Sequence, residues 1–194
     1  MAAAWCNFLF LLIMMKKLDS FETERLLLKP VGKEDAAFIV EMFNTPQWIN
    51  NIGDRNVHSI EEAEAYIEIK MRPQFERLGF GNYIMIRKSD GIKLGSCGLY
   101  DREGLDGIDI GYALMPQFER QGYAIEAASK MLELAEHHFS LQEVLAITTP
   151  ENIPSQKVLA KLGLEFVRTI QLANDVKELN LYQLCFSKKR AADA

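Results

Sequence analysis

A glycine-containing turn at the start of the clearest predicted helix is the segment of this sequence best suited to bind an anion. It reads Glu119-Arg120-Gln121-Gly122-Tyr123-Ala124, and the helix predicted over residues 122–139 begins within it. Amides in the first turn of a helix lack an acceptor within the helix, and the helix dipole adds partial positive charge beside them. Gly122 lets a ligand approach the backbone, and Ala124 keeps the next side chain small. The turn therefore predicts a pyrophosphate-like site, to which Arg120 adds a cation.

This turn differs from the two best-known nucleotide-binding loops. A dinucleotide fold needs Gly-x-Gly-x-x-Gly after a strand, and a Walker-type loop needs Gly-Lys-Ser/Thr. The turn supplies one glycine, and the chain contains no Gly-Lys-Ser/Thr triplet. Taken alone, the turn is also explained by ordinary capping of the helix, so its neighbours must decide.

The elements around the turn follow from hydrophobic periodicity and turn residues. One stripe of the helix over residues 122–139 is apolar, because apolar residues recur every three or four positions, at Ile125, Ala128, Leu132, Ala135 and Phe139. The predicted helices cover residues 33–43, 59–77, 122–139 and 154–162. The segment Ser59-Ile60-Glu61-Glu62 resembles a capping box at the start of the second helix. The predicted strands cover residues 25–29, 83–87, 92–100, 108–115, 144–149, 165–172 and 179–186. This order predicts a mixed α/β domain with hairpins in its first half.

Composition limits the class of protein. With 194 residues, 48% hydrophobic and 25% charged, the chain fits one soluble domain, and a net charge of -5 argues against a nucleic-acid-coating surface. Cys6, Cys97 and Cys185 show neither Cys-x-x-Cys spacing nor a partnered histidine pair, which predicts reduced thiols rather than disulfides or a metal site. We expect an apolar extension over residues 1–20, one domain over residues 21–187 and a tail over residues 188–194.

The apolar run at residues 8–15 complicates a cytoplasmic assignment. It is too short to cross a bilayer, which takes about 20 apolar residues. Lys16 and Lys17 follow the run, whereas an export signal carries its positive charges before it. We interpret the residues before Met14 or Met15 as an upstream extension and expect a cytoplasmic protein without stable membrane insertion. A packed or dimer-forming arm and a weak membrane-surface anchor are the alternatives.

Four motifs follow one another along the chain. They are Glu24-Arg25-Leu26-Leu27-Leu28, Asp109-Ile110-Gly111-Tyr112-Ala113-Leu114, Gly122-Tyr123-Ala124-Ile125-Glu126-Ala127 and Glu151-Asn152-Ile153-Pro154-Ser155-Gln156-Lys157-Val158-Leu159-Ala160-Lys161-Leu162-Gly163. Together they resemble the GNAT superfamily of acyl-CoA N-acyltransferases, and within it the branch of ribosomal-protein amino-terminal alanine acetyltransferases. The resemblance covers residues 21–186. It implies a mixed central sheet of about seven strands flanked by about four helices.

The resemblance implies acetyl-CoA as co-substrate and no metal. The family's phosphate motif, Gln/Arg-x-x-Gly-x-Gly/Ala, falls on the turn and implies that the pyrophosphate is bound by Arg120, Gln121, Gly122, Tyr123 and Ala124. Glu119 departs from the motif, and we expect its carboxylate to point away from the phosphates.

The pantetheine arm of the coenzyme lies between two splayed parallel strands in family members. Here those strands would end near Met115 and Thr149. The resemblance implies that Asn152 contacts the arm and that backbone amides near Ile110 or Gly111 stabilise the oxyanion.

Candidate catalytic groups also follow from the resemblance. Asp109 is expected to act as a base on the amine, directly or through water, with a hydrogen-bonded structural carboxylate as the alternative and Glu103 or Asp106 as further candidates. Ser155 is expected to protonate or hydrogen-bond the coenzyme sulfur, with helix capping as the alternative. Many members carry a tyrosine in the last short helix, but Leu159 aligns with that position here.

The leading hypothesis is therefore an N-acetyltransferase that moves an acetyl group directly to a primary amine, either a protein amino terminus or a small-molecule amine. A non-catalytic acyl-CoA sensor or partner-binding module is the alternative, because Glu119 and Leu159 depart from the family pattern. We expect an amine substrate as partner, no nucleic acid, and a monomer or homodimer.

Overall fold

The computed structural model describes residues 18–172 and 177–186 of the chain. The expected tail over residues 188–194 and all but the last three residues of the expected extension lie outside them. The described residues form one eight-stranded sheet. Its strands are β1 (Phe21–Glu22), β2 (Leu26–Pro30), β3 (Asn82–Arg87), β4 (Lys93–Asp101), β5 (Ile108–Leu114), β6 (Glu143–Thr148), β7 (Glu165–Gln171) and β8 (Glu178–Cys185). Their order across the sheet is β1-β2-β3-β4-β5-β6-β8-β7.

The helices lie between these strands, and all except α2 lie where the sequence predicts a helix. They are α1 (Ala36–Phe43), α2 (Pro46–Asn51), α3 (Ile60–Tyr66), α4 (Arg72–Leu78), α5 (Tyr123–His137) and α6 (Ile153–Lys161). Short 3-10 segments at Lys33–Asp35 and Pro116–Phe118 precede α1 and the turn before α5, and a π-helical segment at Ile67–Met71 joins α3 to α4. The mixed α/β class is thus confirmed.

Two short elements escape the sequence patterns. The two residues of β1 are too few for alternation to show. Helix α2 has six residues, with Pro46 in its first turn and the Thr45 side chain accepting a hydrogen bond from the amide of Trp48 at 3.2 Å. The Thr45 cap and Pro46, rather than periodicity, therefore mark the start of α2.

The predicted capping box at the start of α3 is confirmed. The Ser59 hydroxyl accepts from the Glu62 amide, and the Glu62 carboxylate accepts from the Ser59 amide, both at 3.1 Å. Two free amides at this helix start are therefore satisfied.

One pair of neighbouring strands in the sheet, β5 and β6, runs parallel. The pairs on either side of it are antiparallel. Among the described residues, Asp109 opposite Leu145 is the one register pair that joins β5 to β6. On its other side β5 pairs with β4 along its whole length. The carboxyl halves of β5 and β6 therefore separate, which agrees with the expected pair of splayed strands.

Helix α5 packs its apolar stripe on the sheet beside this gap. Ala128, Leu132 and Ala135 are buried, as the spacing predicts, and Met131 lies among them. Because this face is held against the sheet, the amino end of α5 is fixed beside the carboxyl end of β5. Within the described ranges, the chain has no helix with the length and apolar content that crossing a membrane takes.

Candidate functional site

The turn between β5 and α5 has a backbone suited to an anion. Arg120 and Gly122 adopt left-handed φ angles of 59° and 85°. Gly122 immediately precedes α5, and no described side chain caps this helix start. The amides of the first turn therefore have no side-chain acceptor, and they point out of the amino end of the helix. This geometry agrees with the predicted anion site.

The other predicted binding residues of the turn differ in exposure. Arg120 and Gln121 are exposed, Ala124 is half-buried, and Tyr123 is buried. The side chains of Arg120 and Gln121 thus lie at the surface, whereas Tyr123 belongs to the packing beneath the turn. Glu119 is exposed, and its extended backbone leads into the turn. Its expected orientation away from the phosphates stays a prediction.

Arg25 contacts this turn from the loop before β2. Its Nε lies 2.6 Å from Oε2 of Glu126, and its Nη1 donates to the carbonyl of Gln121 at 3.1 Å. Oε1 of Glu126 accepts from the Arg25 amide at 2.8 Å and from the Thr23 hydroxyl at 2.5 Å. The Arg25 guanidinium also lies over the Tyr123 ring, 4.4 Å from its centroid. The front motif of the chain therefore contacts the predicted anion-binding turn directly.

The gap between β5 and β6 exposes backbone groups of β5. Successive amides of a strand point alternately to its two neighbours. Ile110 and Gly111 pair with Leu99 and Gly98 of β4, but β5 has no register pair with β6 beyond Asp109 in the described part of the sheet. The Met115 amide donates to the Leu94 carbonyl of β4 at 2.8 Å, so alternation directs the Gly111 amide to β4 as well. The Ile110 and Tyr112 amides face β6, and Tyr112 lies beyond the Asp109 pair, so of these two amides the Tyr112 amide is open to a ligand in the gap. The binding roles expected at Ile110 and Gly111 stay predictions.

Asp109 lies inside the sheet rather than in an open cleft. Its side chain is 1% exposed, and both carboxylate oxygens accept from the Arg102 guanidinium, at 3.2 Å from Nε and 3.0 Å from Nη2. Burial raises the pKa of Asp109, and the charge of Arg102 opposes that shift. The geometry favours the structural role that the sequence left open. Glu103 and Asp106, in the loop before β5, are exposed.

Ser155 and Asn152 lie at the start of α6 with distinct roles. The Asn152 Oδ1 accepts from the Ser155 amide at 3.1 Å, so Asn152 is the residue that caps this helix. The Ser155 Oγ lies instead 3.2 Å from the hydroxyl of Tyr112 on β5. Burial raises the pKa of Tyr112 to about 12, although the hydrogen bond from Ser155 opposes the shift. A pair of protonated hydroxyls therefore connects β5 to α6.

Two residues with direct contacts to the predicted site received no role from the sequence. Arg25 and Tyr112 both lie within the four motifs, but their partners are 101 and 43 positions away along the chain. Spacing along a chain carries no information about such contacts. The one signal in the sequence was that both residues lie in the four motifs that carry the family resemblance. Leu159, at the position of the family's tyrosine, is a buried core residue.

In the ranges described above, no group of three or more His, Cys, Asp or Glu side chains is arranged to hold a metal ion.

Known proteins similar to this chain share one family and one fold. Residues 25–165 match the family described as Acetyltransferase (GNAT) domain. The uncharacterized N-acetyltransferase YnaD of Bacillus subtilis (strain 168) is 27% identical over 142 residues, which cover 73% of this chain and 80% of that protein.

Solved structures add the likeness of fold. The ribosomal-protein-S5-alanine acetyltransferase from Vibrio fischeri has a TM-score of 0.73 at 18% identity, covering 86% of this chain and 96% of that one. RimL, a ribosomal L7/L12 alpha-N-protein acetyltransferase solved in complex with coenzyme A, has a TM-score of 0.69 at 14% identity, covering 86% and 98%. The family match and the shared fold lead to one conclusion: this chain belongs to the GNAT family of N-acetyltransferases.

Proposed function

We propose that this protein uses acetyl-CoA to acetylate a primary amine by direct transfer in the cytoplasm. The observation that carries the proposal is that the Gly122 turn lies at the end of the gap between β5 and β6. The turn offers amides to phosphates, and the gap offers strand amides to an extended arm. One ligand with both parts is coenzyme A, with which RimL was solved.

The residues present fit this ligand chemically. Gly122 leaves the turn open where a Cβ would approach the Nη2 of Arg25 at 3.3 Å, and exposed Arg120 supplies a cation for the phosphates. Near Ile110 and Gly111, the Tyr112 amide would hold the arm and its carbonyl, since the Gly111 amide faces β4. Because the Oδ1 of Asn152 is used in the cap of α6, its side-chain nitrogen is the donor that would face the arm.

The hydroxyl pair supplies a proton donor for the leaving thiolate. Acetyl-CoA, when bound, supplies an activated thioester. The Ser155 Oγ would deliver its proton to the departing sulfur and regain one from the Tyr112 hydroxyl, 3.2 Å away. Tyr112 would recover a proton through water from the attacking amine, which loses one as the amide forms. A Tyr112 pKa of about 12 keeps that hydroxyl protonated at neutral pH.

The acceptor amine must lose its proton before it attacks. A protein amino terminus has a pKa near 8, so about one-tenth is neutral at pH 7, whereas a lysine side chain is almost fully protonated. This difference favours a peptide amino terminus or a small amine of lowered pKa. Asp109, our first candidate base, is paired to Arg102, while Glu103 and Asp106 are exposed and would attract a cationic amine.

A thiol-release assay tests the proposal. The purified chain is given acetyl-CoA with amino-terminal peptides, polyamines or aminoglycosides, and mass spectrometry checks the acetylated product. We expect amine-dependent release of free coenzyme A and a product heavier by one acetyl group. Failure of the chain to bind coenzyme A in a calorimetric titration would overturn the proposal.

A second candidate function is a non-catalytic acyl-CoA sensor. It is favoured by Leu159, which is buried where many family members carry a tyrosine. Tight coenzyme binding with no acetylated product for any amine would support it. Sedimentation of the same samples would distinguish the monomer from the homodimer, both of which we keep as proposals.

A further inference from the structure

The Glu126 carboxylate presents an electrostatic problem at the proposed coenzyme site. It lies in the first turn of α5, beside the amides that would face the phosphates. An acidic residue there is favourable for the helix dipole, but its charge repels a bound anion. An unpaired Glu126 would therefore weaken the site that its own helix creates.

Arg25 neutralises the charge of Glu126. Its Nε pairs with the Glu126 Oε2 at 2.6 Å, and the Thr23 hydroxyl and the Arg25 amide occupy the Oε1. Both oxygens of the carboxylate thus point toward the loop before β2. The pair is close to neutral, so the dipole of α5 acts on an anion without opposition from Glu126.

The same guanidinium also fixes the backbone of the turn. The Nη1 of Arg25 binds the carbonyl of Gln121, one residue before Gly122. This bond keeps the Gln121 carbonyl directed at the Arg25 cation and so away from a bound anion. The amides of the turn are then the polar groups left to bind the anion. Stacking of the guanidinium on Tyr123 places the contact at the first residue of α5.

We propose that Arg25 is a positioning residue for the coenzyme-binding turn, acting by neutralising Glu126 and by holding the carbonyl of Gln121. The inference rests on the proposed function, because it presupposes that the turn binds phosphates. Arg25 lies 101 positions from Glu126 in sequence, and it adds the front of the chain to the site. Its side chain is 42% exposed, so the ion pair contributes little to global stability.

The test compares ligands with and without phosphates. Coenzyme A affinity is measured by titration calorimetry and pantetheine affinity by ligand-observed NMR, for the wild type, R25A, R25K and R25A/E126Q. We expect R25A to weaken coenzyme A binding about ten-fold, the effect of one charged hydrogen bond. Pantetheine binding and the melting temperature should stay nearly unchanged. R25K keeps the charge but loses the second contact, and it should fall between R25A and the wild type.

The double variant separates the two parts of the proposal. In R25A the Glu126 carboxylate loses its partner and keeps its charge, whereas R25A/E126Q removes that charge as well. The double variant should therefore regain about half of the lost affinity on a logarithmic scale, as expected for interacting residues. R72A is the matched control, because Arg72 is 44% exposed and pairs with Glu68 and Glu76 on another helical segment. It should bind coenzyme A like the wild type.

The outcomes distinguish this proposal from the proposed function. If the wild type binds coenzyme A and R25A binds equally well, the role of Arg25 is refuted while the function stands. An equal loss for coenzyme A and pantetheine, or a loss that follows the melting temperature, assigns Arg25 a general structural role and also refutes it. No binding by the wild type refutes the function itself.

Discussion

At the scale of single residues, Gly122 combines two requirements. Its φ of 85° suits a residue without a Cβ, and an added Cβ would lie 3.3 Å from the Nη2 of Arg25. We predict that Gly122→Ala costs about 1 kcal/mol of folding free energy through the left-handed backbone. It should lower coenzyme A affinity at least ten-fold, because the methyl group crowds the Arg25 guanidinium that binds the Gln121 carbonyl of the turn. Gly122→Asp should abolish binding.

Calorimetric titration and thermal unfolding of the same samples measure both effects. Gly79 is the matched control, since it has a φ of 81° at the end of α4 and no atom within 4 Å of its added Cβ. Gly79→Ala should lower stability similarly and leave coenzyme affinity unchanged. Unchanged affinity in Gly122→Ala would remove the turn from the site.

The hydroxyl pair gives a second prediction for single residues. Ser155→Ala should lower kcat about 100-fold, as for loss of a general acid, with little change in coenzyme A affinity. Tyr112→Phe removes the hydroxyl 3.2 Å from Ser155 and should lower kcat less, because Ser155 can still exchange its proton with water. Rapid-quench kinetics measures the chemical step. Wild-type kcat in Ser155→Ala would contradict the assignment.

Asp109 gives a third prediction for single residues, because its two candidate roles lead to different results. If Asp109 is an ion-paired structural carboxylate, Asp109→Asn should lower the free energy of unfolding by about 2 kcal/mol, since Arg102 loses its partner. In that role kcat should fall less than about ten-fold when measured below the melting temperature. A loss of 100-fold or more in a folded variant with normal coenzyme affinity would establish Asp109 as the base.

At the scale of elements, the start of α6 depends on its cap. Asn152 accepts from the Ser155 amide and so fixes the first turn that carries the Ser155 hydroxyl. We predict that Asn152→Ala lowers the free energy of unfolding by about 1 kcal/mol, as for other helix caps. It should also lower kcat, because the Ser155 Oγ loses its fixed position.

Ser59→Ala is the matched control, since Ser59 caps α3 through the same type of bond to a backbone amide. Chemical denaturation should show a similar loss of stability in both variants, and steady-state assays should show a lower kcat in Asn152→Ala alone. An equal kcat in the two variants would separate the cap from the chemistry.

At the scale of the whole molecule, Asp35 connects separate parts of the first half of the chain. Its buried carboxylate lies 2.7 Å from Lys29 on β2 and 2.7 Å from Lys93 on β4, and it accepts from the Gly32 amide. Burial alone would raise the pKa of Asp35, but the ion pairs with the two lysines and the hydrogen bond from Gly32 outweigh it and lower the pKa below its usual value of 3.8.

A lowered carboxyl pKa gives a fixed sign to the pH dependence. Because the unfolded chain protonates Asp35 at a higher pH than the folded protein, its stabilisation is full above about pH 5 and is lost as the pH falls through the folded pKa. We predict that Asp35→Asn costs about 2 kcal/mol at pH 7. The difference from the wild type should shrink on acidification in urea titrations. A difference independent of pH would contradict the ionic role.

The sequence by itself determined the order of the longer elements, and it predicted an anion site at the turn. Apolar spacing identified α5, Ser59 and Glu62 identified the start of α3, and Gly122 identified the turn before α5, for which an anion site is predicted. These features are local, since each depends on residues within one or two helical turns. The four motifs added the family, and the family match at residues 25–165 confirms it.

Tertiary structure alone decided how the motifs meet. The pairing of Arg25 with Glu126, and of Tyr112 with Ser155, joins residues 101 and 43 positions apart. The ion pair that holds Asp109 depends on the conformation of the loop before β5, which no periodicity specifies. Side-chain contacts of this kind follow from the packing of whole elements. For that reason the sequence predicted a binding role for the turn, and only the folded chain showed what holds the turn in place.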